Sequence, residues 1–135
     1  MTATTVDRAT PRRDGEQFVR KMAAVKILAG TIVCLSATGY ATPGATATTL
    51  VADGIAIETV DNSAGAAGDL SIQVEKGVFR FFNSAAGDAI TIAEIGDDCW
   101  IVDNQTVAKT DGTGTRSKAG RIVDVDAQGV WVEFR

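Results

Sequence analysis

Turn-forming residues interrupt this chain too often for long helices. Small-residue or Asn/Asp-rich stretches fall at 39–49, 61–69 (DNSAGAAGD), 83–88, 104–105, 111–114 and 127–128. Between them, apolar and polar residues alternate with the period-two repeat of a half-buried strand. Fourteen glycines against two prolines in 135 residues suit tight turns, and recurrent Thr favours pleated structure. A spacing of roughly ten residues predicts about eight short strands in an all-β fold, a small barrel or sandwich.

Strands are expected at 31–36, 50–60, 70–75, 78–82, 98–103, 106–109, 120–126 and 129–134. Gly54 inside the second marks a bulge. Lys76-Gly77 reads as a hairpin between the third and fourth, and Ala127-Gln128 as the hairpin that closes the chain. Along 31–36, Ile32 and Cys34 share one face and Val33 and Leu35 the other. Along 98–103, Cys99 and Ile101 oppose Trp100 and Val102. Val123 and Val125 are expected to meet Val130, Val132 and Phe134 in the core. The aromatics Phe79, Trp100, Trp131 and Phe134 are assigned to that core, with Trp100 and Trp131 buried either in the barrel or at a subunit interface. Thr91 and Glu94 have capping-box spacing, and Gly96 ends the one short helical turn they open.

Charge is unevenly placed. Residues 1–26 carry six bases and three acids, a net of +3, whereas 27–135 carry seven bases and fourteen acids, a net of −7. Residues 1–21 show no sustained apolar period, and Thr10-Pro11 favours an extended step. The chain therefore divides into a flexible or extended N-terminal arm, 1–21, and a single β-rich domain, 22–135. A basic arm on an acidic body suits docking on a partner. The acidic body argues against direct nucleic-acid binding, because phosphates require a basic surface. The apolar run 22–41 imitates an export signal. However, twenty-one mostly polar residues precede it, Lys26 interrupts it, and Val33 stands before Cys34 where a lipoprotein signal requires a small residue. It is also too short and too polar to span a membrane. No membrane partner is expected, and both cysteines are expected to be reduced.

Composition weighs against catalysis. Without His, the chain lacks the commonest general base and the commonest metal ligand. Two cysteines cannot form a four-cysteine zinc site, and Cys34 and Cys99 sit in apolar runs, as inert buried thiols do. Asp124-Val125-Asp126-Ala127-Gln128-Gly129 opens like a calcium loop, but Arg135 stands where the loop requires its last Glu. Asp97 and Asp98 precede a strand, so their carboxylates diverge. Gly112-Thr113-Gly114 lacks the third glycine of a phosphate loop. Arg80 is the sole base interleaved with the aromatics, too few for a base-stacking surface. No catalytic residue, cofactor or metal is assigned.

The order of short motifs carries a resemblance. Ala-Thr-Pro43-Gly44-Ala is followed by Gly54-Ile-Ala, Val60-Asp61-Asn62-Ser63 and Gly68-Asp69. Lys76-Gly77-Val78-Phe79-Arg80 comes next, then Ile95-Gly96 and Trp100-Ile-Val-Asp103-Asn-Gln-Thr-Val107. Ala119-Gly120-Arg121-Ile-Val123 and Gly129-Val-Trp131-Val close the series. In this order residues 27–134 resemble the capsid cement, or head decoration, proteins of tailed bacteriophages, including those of Mu-like phages. The resemblance implies a catalytically silent structural protein of the virion. Made in the host bacterial cytoplasm, it would bind the outer surface of an assembled capsid and hold it against the pressure of packaged DNA. The implied partners are the major capsid protein and the protein itself, as a homotrimer at three-fold or quasi-three-fold positions.

The arm lies outside the matched stretch. Its composition marks Arg12, Arg13 and Arg20 for charge-assisted contacts with acidic capsid groups. Phe18 is the aromatic anchor for a groove on the capsid or a neighbouring subunit. The alternative reading is a small β-barrel binding module for a ligand or protein partner, which requires a pocket with convergent polar groups. An enzyme working with carboxylates alone would require two acids facing one cleft.

Overall fold

The alternation of β-branched and polar residues resolves into twelve short strands. In the computed structural model, which describes residues 2–9 and 15–135, these are β1 (Gln17–Lys21), β2 (Lys26–Ile27), β3 (Ile32–Leu35), β4 (Ala41–Pro43), β5 (Val51–Ala56) and β6 (Val60–Asp61). They continue with β7 (Ser71–Glu75), β8 (Gly77–Asn83), β9 (Asp98–Ile101), β10 (Thr106–Ala108), β11 (Lys118–Asp126) and β12 (Gly129–Phe134). The fold is all-β, as expected. Four strands beyond the eight expected are pairings of two to five residues, too short to carry a period. Two single 3₁₀ turns interrupt them, at Ala86–Asp88 and Ile92–Glu94, and the second carries the Thr91–Glu94 capping box.

Strands β8 to β12 close a five-stranded barrel in the order β10-β8-β12-β11-β9, with β10 and β8 parallel and the other neighbours antiparallel. Strands β1-β7-β5-β3-β4 form an antiparallel sheet, and β2 pairs with β6. Each lobe has its own core. Phe81, Ile101, Val107, Ile122, Val130, Val132 and Phe134 fill the barrel, while Met22, Ile27, Ala41, Ile72 and Val74 lie under the sheet. Strand β3 joins the two. Its alternation sends Ile32 and Cys34 into the barrel core and Val33 into the sheet core, with Leu35 packed beside it. A strand buried on both faces welds the lobes, each buried aliphatic side chain contributing roughly 1.5–3 kcal/mol.

Several expectations are corrected. Lys76-Gly77 is no hairpin turn. β7 pairs with β1 and β5, and β8 pairs with β10 and β12, so Lys76 carries the chain from sheet to barrel. Val123 is 41% exposed, because a register shift between Ile122 and Asp124 turns it outward and leaves Ile122 inside. Trp100 and Trp131 are half-buried and do not belong to the core. Cys99 and Ile101 take the inward positions of β9, and Val130, Val132 and Phe134 those of β12. Phe134 is buried, with Phe81 edge-on at 5.8 Å and Phe79, only partly buried, tilted at 6.3 Å. The hairpin at Ala127-Gln128 forms as expected, with Asp126 opposite Gly129.

Regular structure begins before Met22. Residues 17–21, expected in the arm, form β1 and pair residue for residue with β7 from Gln17–Glu75 to Lys21–Ser71. Residues 2–9 are exposed along their length. Thr10, Pro11, Arg12, Arg13 and Asp14 lie outside the described residues.

Candidate functional site

A buried cluster of charge forms where β1, β5 and the end of β7 meet. A bulge in β5 skips Asp53 in the pairing with β3, since Val33 faces Gly54 and Cys34 faces Ala52. Gly54 adopts φ 152°, and a side chain there would collide with the Glu75 carbonyl. The kink turns Asp53 into the interior, where it is 3% exposed. A buried carboxylate requires partners. Arg20 supplies a fork, Nε to Oδ2 at 2.7 Å and Nη2 to Oδ1 at 3.0 Å. Lys76 Nζ donates to Asp53 Oδ1 and to the Asp53 carbonyl, both at 2.9 Å, and to the Arg135 carbonyl at 3.3 Å. The Phe18 ring lies 4.7 Å from the Arg20 guanidinium and 5.6 Å from Lys76 Nζ. Burial alone would raise the Asp53 carboxyl, but hydrogen bonds from Arg20 and Lys76, with their charges, outweigh it and hold the pKa below its ordinary value. The cluster pins β1 and the β7–β8 crossover to β5.

Two of the residues marked as docking groups therefore sit inside the molecule's own sheet. Arg20 is engaged by Asp53, and Phe18 lies under the same cations. Arg12 and Arg13 fall outside the described residues. Asp53 and Lys76 escaped the sequence reading. The signal was an acid beside the bulge glycine in an otherwise apolar strand, VADGIA.

A second location is the outer face of β8 and β12. Arg80 pairs with Trp131 across the strands, its guanidinium 5.6 Å from the indole ring. Val78 and Phe82, two residues to either side of Arg80, point the same way, and Phe82 is 57% exposed. Trp131 is held by its own turn, donating from Nε1 to Asp126 Oδ2 at 2.8 Å. Asp126 Oδ1 accepts from the Gln128 and Gly129 amides. These bonds, that of Trp131 first, lower the Asp126 pKa. The second carboxylate of the calcium-like motif thus caps a hairpin.

A third is a cleft of about 680 Å³ between the start of β5 and the open end of the barrel, with Leu50, Val51, Lys118, Arg121 and Phe134 in its walls. Asp98 faces Lys118 there at 3.6 Å. Its neighbour Asp97 turns its carbonyl to the Ile122 amide at 2.8 Å. Both cysteines are free and buried; desolvation pushes each thiol up to about 12. Among the described residues, no group of three or more Cys, Asp or Glu side chains is placed to hold a metal ion. Compared with known protein families, curated proteins and solved structures, the chain matches none.

Proposed function

We propose that this protein is a capsid cement protein, a structural component that binds the outside of an assembled phage head and reinforces it. The observation that carries the reading is the outer face of β8 and β12. Phe82, Trp131 and Arg80 are the residue types that dominate protein interfaces, and here a closed barrel presents them on its surface. The charged cluster on Asp53 acts within the fold and leaves that face free for docking. The order of sequence motifs from Ala41 to Trp131 supports the same reading. The partners are the major capsid protein and further copies of this chain, set as trimers at three-fold or quasi-three-fold positions. A trimer engages several equivalent sites at once, so weak contacts add up to firm attachment.

The test is co-sedimentation with undecorated heads. Intact protein is expected to pellet with them, and a Phe82→Ala/Trp131→Ala variant to bind at least about tenfold more weakly. A protein that stays in the supernatant at every concentration refutes the reading. So does a particle reconstruction with the protein only at positions away from any three-fold.

The cleft beside β5 favours a second reading, a small β-barrel binding module. Native mass spectrometry of gently purified protein decides for it if a bound metabolite appears, and if Arg121→Ala removes that metabolite.

A further inference from the structure

Strand β1 leaves one edge of its sheet open. Glu16 accepts from the Lys76 amide at 2.7 Å, and Met22 donates to the Leu70 carbonyl at 2.9 Å. Both bonds lie on the β7 side. In an antiparallel ladder the hydrogen-bonded positions recur at every second residue. Phe18 and Arg20 therefore also turn their backbone groups to β7, and Gln17, Val19 and Lys21 turn theirs away. No strand among the described residues pairs with β1 on that side. The far edge of the same sheet is protected. Strand β4 has three residues, ends in Pro43, and is covered by a bridge from Met22 to Ala41. The Ala23 amide donates to the Ala41 carbonyl at 2.9 Å. Shortness, proline, charge (above all Lys) and cover are the usual protections of a sheet edge. Among the described residues, strand β1 has neither proline nor cover, and Lys21 at its end is its one exposed charge; it runs five residues in unbroken register, with Val19 66% exposed at its centre.

We propose that β1 pairs with β1 of a second copy, antiparallel about a two-fold axis at Val19, so that two five-stranded sheets become one. The pairing follows from the order of residues. With Val19 on the axis, the outward backbone groups of Gln17, Val19 and Lys21 meet those of Lys21, Val19 and Gln17 in the second copy. All three open positions are satisfied at once. On the exposed face, the two Val19 side chains meet and each Lys21 faces Gln17, so no like charges oppose one another. On the other face, Phe18 comes opposite Arg20 of the second copy, repeating a contact that already exists within the chain at 4.7 Å. Moving the axis to Arg20 would set two guanidinium groups against each other. An isologous contact of this kind closes on itself and removes an edge that would otherwise template open-ended assembly. The contact is independent of the capsid reading and is measured on free protein; within a lattice of trimers it would link neighbours.

Val19→Cys is the direct test. Opposed residues at a hydrogen-bonded position have Cα atoms about 5.5 Å apart, within reach of a disulfide. Cys34 and Cys99 are buried. Mild oxidation is expected to convert Val19→Cys into a covalent dimer on a non-reducing gel, while Val123→Cys, exposed on the barrel, stays monomeric. Val19→Pro removes an N–H that points away from β7, a position an edge strand tolerates. It is expected to keep a cooperative melt and to lower the dimer fraction in sedimentation by about tenfold or more. Should Val19→Pro misfold, Val19→Lys, which places two ammonium groups at the axis, serves in its place with the same expected loss. Cross-linking of Val19→Cys no faster than that of Val123→Cys overturns the proposal. So does a folded Val19→Pro or Val19→Lys protein that dimerises as the parent does.

Discussion

The barrel and the sheet answer the same problem, unsatisfied strand edges, in different ways. In the barrel every strand has two neighbours, and the interior is hydrocarbon: Phe81, Ile101, Ile122, Val130, Val132 and Phe134. The sheet is open at β1, and at its junction with the barrel it buries an acid with two cations, Asp53 with Arg20 and Lys76. Closure leaves the barrel less free strand edge than the sheet, so it offers chiefly its outer side chains. The sheet keeps backbone groups available. The difference separates two kinds of contact on one small molecule: a side-chain face on the barrel and a strand edge on the sheet. It also predicts that the two lobes fail differently.

The largest effect is expected from Phe134→Ala. This ring is 3% exposed and packs on Phe81 and Phe79. Its removal leaves a cavity in the barrel that costs roughly 3–5 kcal/mol in a denaturant titration. A loss below about 1 kcal/mol would mean that Phe134 is not a packed part of the barrel core.

Asp53→Ala comes next. It strands two cations that are each mostly buried, Arg20 with 28% and Lys76 with 16% of the side chain accessible. The cost is expected to be about 3 kcal/mol, and it falls on one lobe. Hydrogen exchange should show the β1 and β7 amides losing protection while those of β11 and β12 keep theirs. Uniform loss in both lobes would show that the sheet does not open separately.

Acid should act on the same cluster. The folded Asp53 pKa lies below the unfolded value of about 3.9. Its contribution is therefore fully present above that value and is lost as pH falls through the folded pKa. Below about pH 4, β1 amides are expected to exchange before barrel amides. In Asp53→Asn that difference between the lobes should no longer depend on pH across this range.

Trp131→Ala is expected to be milder, about 1 kcal/mol, because the ring stands half-buried outside the barrel and loses mainly its bond to Asp126. Its effect on head binding should exceed its effect on melting. The reverse ranking would return Trp131 to a purely structural role. The smallest expected signal is thiol reactivity. With both thiols buried and pushed up to about 12, an aromatic disulfide reagent at pH 8 should titrate neither until the chain unfolds.

Much of this molecule was legible along the chain. The two faces of β3, the capped turn at Thr91, the bulge at Gly54 and the closing hairpin are all encoded within a few neighbouring residues. Each depends on side-chain alternation, a capping pair or a glycine, and these act locally. What escaped was the choice of partner. Lys76-Gly77 has the composition of a turn, yet it carries the chain between lobes, because β7 and β8 find better neighbours far away in sequence. One residue of slip between Ile122 and Asp124 moved Val123 outward, since side chains alternate and a single insertion reverses every face beyond it. Residues 17–21 read as part of the arm for a related reason. Gln17–Lys21 shows no apolar period, and it is a strand only because β7 offers an edge and Asp53 a counter-charge. Asp53 itself lies 33 residues from Arg20 and 23 from Lys76. By itself, the sequence determined that the chain would be strands and turns, and where most of them begin. Only the tertiary structure decided which edges close, which stay open and which charges meet, because pairing energy depends on the partner in space and leaves no mark on the local pattern.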